Sequence, residues 1–119
     1  MTELSQFIQY LGKEKEAHLS EANRLAKDNM QDEATMARIR ANMFEIMTQI
    51  SRAAEKHTTP QSTFHFIKER IAQIPTEWKK SLAAAEQHGD HTKVAIEHIK
   101  LNTMAEIERE LNNIFGGVS

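Results

Sequence analysis

The stretch from Asp32 to His57, DEATMARIRANMFEIMTQISRAAEKH, constrains the fold more than any other part of the chain. It contains neither Gly nor Pro. Apolar side chains fall at Met36, Ile39, Met43, Ile46, Met47, Ile50, Ala53 and Ala54, in steps that put them on one face of a helix. The opposite face carries Glu33, Arg40, Gln49, Arg52 and Lys56, the division that a core-facing surface helix requires. Asp32 and Glu33 sit at the positive end of the helix dipole, and Lys56 and His57 at the negative end. Phe44 lies beside the stripe and widens it. Methionines on the stripe either fill a core or line an adaptable groove, because Met repacks easily. The spacing predicts the core helix.

The flanking segments supply partners for it. Thr2 is placed to cap a first helix over Glu3–Lys27, with a stripe of Leu4, Phe7, Ile8 and Leu11, then Ala22, Leu25 and Ala26. Lys15 and His18 interrupt that stripe just beyond Gly12. Either the helix bends there and Leu19 takes over, or the bundle is polar at that level. Lys27–Gln31 is a short turn, with Asp28 or Asn29 as the next cap, so the first two helices form an antiparallel hairpin. After the spine, Pro60 fits a helix start or a loop, and Ser62 and Thr63 compete to cap a third helix over Thr63–Gln73. Phe64, Ile67, Ile71 and Ile74 form its stripe, with Phe66 on another face. Pro75 stops it and starts a fourth, Thr76–His88, carrying Trp78, Leu82 and Ala85. Gly89 suits a left-handed C′ position, and Asp90 caps a fifth helix over His91–Phe115. Its stripe is Ile96, Ile99, Thr103, Ile107, Leu111 and Ile114, with Glu106, Glu108 and Glu110 read as a solvated face. The expected fold is all-α: an up-and-down four-helix bundle with the third segment broken at Pro75, five helices in total. Residues 1–115 form the domain and 116–119 a flexible tail.

Several activities are excluded at this level. The chain has 119 residues, no cysteine and a net charge of −2 with both signs interspersed. That length suits one domain with a core of its own. The cysteine-free composition removes thiol catalysis, disulfides and thiolate metal sites, and is compatible with a reducing cytosol. The charge pattern argues against nucleic acid as a partner, although Arg24, Lys27, Arg38, Arg40, Lys93 and Lys100 can meet an acidic one. The N-terminal segment lacks a signal-peptide pattern, and no apolar run is long enough to span a membrane. No glycine-rich phosphate loop or nucleophile elbow occurs.

Six histidines raise the question of a metal. No two have the i, i+4 spacing of a helical zinc site, and the Glu-x-x-His motif of di-iron bundles is missing. His88 and His91 flank a turn and form the one pair placed to share an ion; His98 is too far along for a third ligand. Every carboxylate has an ordinary role as a cap or a solvated group, so no catalytic residue and no cofactor are assigned. Lys15 with His18 is the one polar feature on an apolar stripe.

Two segments, DEATMARIRANMFEIM and IPTEWKKSLAAAEQHGDHTKVAIEHIKLNTMAEI, resemble a family of small all-helical proteins of Gram-positive, Firmicutes-type bacteria. That resemblance implies a helical fold and a cytosolic bacterial setting. It implies no activity, since the family has none assigned.

The leading expectation is a non-enzymatic protein-interaction module, either a homodimer or an adaptor for another protein. Phe44, Phe66, Leu101 and Met104 stand off the main stripes and are available for an interface. The alternative is a small-ligand-binding bundle with a pocket between helices 1 and 2, near Lys15, His18 and the Met face. A third reading is a metal-dependent enzyme. The candidate ligand or interface residues are Lys15, His18, Arg40 and Phe44.

Overall fold

A computed structural model describes residues Thr2–Gly116. Every regular element among them is helical. α1 spans Glu3–Lys27, α2 Gln31–Ala53, α3 Pro60–Gln73, α4 Pro75–His88 and α5 His91–Ile114, with one 3₁₀ turn at Ala54–Lys56 closing α2. Of the expected tail, only Gly116 lies within the described residues.

The local chemistry of the ends explains these bounds. Thr2 caps α1 by accepting a hydrogen bond from the Ser5 amide at 3.1 Å. Asp90 does the same for α5 through the Lys93 amide at 3.1 Å. α3 starts earlier than its stripe predicts. Its cap is Thr59, whose hydroxyl accepts from the Ser62 amide at 3.1 Å, and Pro60 fills the first helical position. Ser62 and Thr63 are therefore inside the helix.

The α1–α2 turn also differs from expectation. Neither Asp28 nor Asn29 caps α2, whose N-cap is Met30 without a side-chain hydrogen bond. Asn29 is occupied in a left-handed conformation, φ 60°. The Met30 amide donates to the Leu25 carbonyl at 2.9 Å and the Asn29 amide to Ala26 at 3.2 Å, a Schellman closure of α1. The Gln31 side chain also reaches back, donating to the Ala26 carbonyl at 3.2 Å. The α4–α5 turn repeats the geometry with Gly89 at φ 69°, and the Asp90 amide donates to the Ala85 carbonyl at 2.9 Å.

α3 and α4 abut. Ile74 between them keeps helical angles, φ −58° and ψ −46°, and its amide still donates to the Arg70 carbonyl at 3.1 Å. Pro75 has no amide proton and interrupts the ladder, so Pro60–His88 is one rod broken at a proline. Thr76 is not a cap, because no free helix start exists there.

The main core lies where the start of α1, the end of α2, α3 and the end of α5 converge. Phe7, Phe44, Phe115, Leu11, Met47, Ile67, Ile107 and Leu111 are essentially fully buried there. Each large apolar side chain so buried contributes about 1.5–3 kcal/mol. A smaller cluster of Ala22, Leu25, Ala34 and Ala37 joins α1 to α2 near their shared turn.

The buried sector of α2 is rotated from the expected stripe. Ala34, Ala37, Ala41, Phe44, Thr48 and Ser51 are buried, together with Met43, Met47 and Ala54. Met36, Ile39, Ile46 and Ile50 are only half-buried and Ala53 is exposed. The shift is one residue, about 100° around the helix. Small side chains let α1 approach closely on that side, which hydrophobicity alone does not reveal. The buried hydroxyls are satisfied within the helix: Thr48 donates to the Phe44 carbonyl and Ser51 to the Met47 carbonyl, both at 2.8 Å.

α1 packs along α2, α4 along α5, and α2 against α5. The molecule measures 45 × 34 × 20 Å with a radius of gyration of 15.7 Å. A compact chain of this length has a radius near ~13.5 Å. The larger radius reflects an elongated molecule, with clefts between its helices. No helix among the described residues is long and apolar enough to cross a membrane.

Candidate functional site

The polar interruption in α1 is a contact level between α1 and α2. Lys15 Nζ donates to Glu45 Oε2 at 2.9 Å, and Gln49 Nε2 donates to the other oxygen at 2.8 Å. The Lys15 hydrogen bond, then that of Gln49, holds the Glu45 carboxyl below the usual range. α1 runs unbroken through Gly12. Of the two explanations for Lys15 and His18, the polar level is the one observed.

His18 lies flat on Phe44, ring centroids 5.5 Å apart at 16°. Its Nε2 is 3.8 Å from Glu14, and its Nδ1 is buried without a hydrogen-bond partner. Phe44 is 0% exposed and also meets Tyr10 edge-on at 6.0 Å. Phe44 is therefore a core residue and not a surface one, because α1 covers the sector of α2 on which it stands. Lys15, His18 and Phe44 come together at one level of α1 and α2, where Phe44 is fully buried. Arg40 is half-buried and makes no ion pair among the described residues.

The other off-stripe residues divide. Phe66 is half-buried under Lys56 and Arg70, 5.2 and 5.5 Å from its centroid, with the His57 ring at 5.2 Å. Met104 is 2% exposed and Leu101 half-buried. Tyr10 sits between α1 and α5, where burial first, then Glu106, Glu14 and Glu110, push its phenol up.

Between α4 and α5 lies a carboxylate that the sequence reading left as solvated polarity. Glu97 is 4% exposed. Its Oε1 receives Lys100 Nζ at 3.3 Å, and its Oε2 is buried without a partner. Lys100 also stands over the Trp78 ring, 5.6 Å from the centroid. His88 and His91 are both exposed. No group of three or more His, Asp or Glu among the described residues could hold a metal ion.

The grooves are the remaining feature. Asp32, Thr35 and Met36 of α2 face His91, Thr92, Ala95 and Ile96 of α5 across one cleft. A second, of about 310 Å³, opens where the broken rod leaves α5. Its walls are Ile71, Ala72, Pro75 and Lys79 on one side and Leu101, Met104, Ala105 and Glu108 on the other. The α5 wall is one helical row at i, i+3, i+4 and i+7 spacing, and the other wall crosses from α3 into α4 at Pro75. Glu108 is half-buried in this wall and not part of a fully solvated face. Pro75 as a break, and Leu101 and Met104 as apolar residues off the main stripe, were legible in the sequence. The pairing of those two with Lys79 needed the antiparallel register of α4 and α5.

Compared with known proteins, the chain matches no family model, no curated protein and no solved structure.

Proposed function

We propose that the chain is a non-enzymatic protein-interaction module, acting as a homodimer or as an adaptor for another protein. In this reading its architecture is an up-and-down bundle of four rods, the third broken at Pro75. The observation that carries the reading is the groove at Pro75, where Ile71, Ala72, Pro75 and Lys79 line one side and Leu101, Met104, Ala105 and Glu108 of α5 the other. Apolar grooves between helices are sites where partner helices dock. The Lys15–Glu45 ion pair and the His18 ring stacked on the buried Phe44 occupy that level, which favours interaction over ligand binding between α1 and α2. A cytosolic setting belongs to the same proposal; the cysteine-free sequence needs no oxidising compartment.

The test is affinity capture from the native organism with mass-spectrometric identification, beside a mass measurement over a wide concentration range. A reproducible partner or a defined dimer is expected. A strict monomer that retains nothing above background contradicts the proposal.

A further inference from the structure

We draw no further inference here: the strongest candidate, the cleft between the start of α1, the segment from His57 to Pro60 that leads into α3, and Phe115 at the end of α5, carries nothing, since its buried polar side chain, Thr63, already donates to the Thr59 carbonyl and nothing in the structure shows what covers it.

Discussion

Glu97 shows how much one residue can set the stability of an element. A carboxylate that is nearly inaccessible, with one oxygen unpartnered, bears a desolvation cost that its single contact to Lys100 only partly offsets. Glu97→Met should be neutral or raise stability by about 1 kcal/mol, while Lys100→Met should lower it by about 2 kcal/mol, read from urea midpoints. Glu45 gives a pH dependence of known sign. Its carboxyl is held low in the folded protein, so its contribution is complete above the ordinary Glu range near ~4.3 and is lost as pH falls through the depressed value. Glu45→Gln should flatten that acid limb in a series of urea midpoints taken against pH. Tyr10, the only tyrosine, should show no phenolate absorbance in its ordinary range while the chain is folded, since burial and three nearby glutamates oppose ionisation. An ordinary titration in the folded protein would contradict its placement. At this scale the sequence was legible for caps and poor for burial. Thr2 and Asp90 announce themselves because capping is local. Glu97 does not, since nothing within its own helix shows that α4 covers it.

Elements were readable where one helix decides its own ends. α1 runs over the residues its pattern predicts, and Gly89 marks the α4–α5 turn as expected. The misses come from competition between elements for the same residue. Asn29 cannot both adopt the left-handed turn and cap α2, and the turn prevails because it satisfies carbonyls at the end of α1. Asn29→Val should therefore cost about 1–2 kcal/mol, a branched side chain being disfavoured at positive φ. Gly89→Ala should cost about 1 kcal/mol from the backbone alone, since an added Cβ there meets open space. Both are measurable by equilibrium unfolding. The face of α2 was misread by one residue for a related reason. Periodicity weighs Met and Ile above Ala, whereas α1 seats on the small residues Ala34, Ala37 and Ala41 because they permit close approach.

The whole molecule follows from two hairpins, α1–α2 and α4–α5, that meet through α2 and α5. Large side chains converge at the end held by α1, α2, α3 and α5, while three alanines and Leu25 form the smaller cluster between α1 and α2. Pro75 ends α3 and starts α4, and a groove lies between that junction and α5. The helical class was legible from composition and spacing, and the break from a single proline. Lys15, His18 and Phe44, singled out by pattern, meet at one level of α1 and α2, while the groove draws on Leu101 and Met104 together with Lys79, which drew no notice, and Glu108, which was read as part of a solvated face. The central claim is that the chain is a non-enzymatic protein-interaction module. Capture from the native organism with mass-spectrometric identification, beside a mass measurement over a wide concentration range, tests it most directly. The account predicts a reproducible partner or a defined dimer. A strict monomer that retains nothing above background contradicts it.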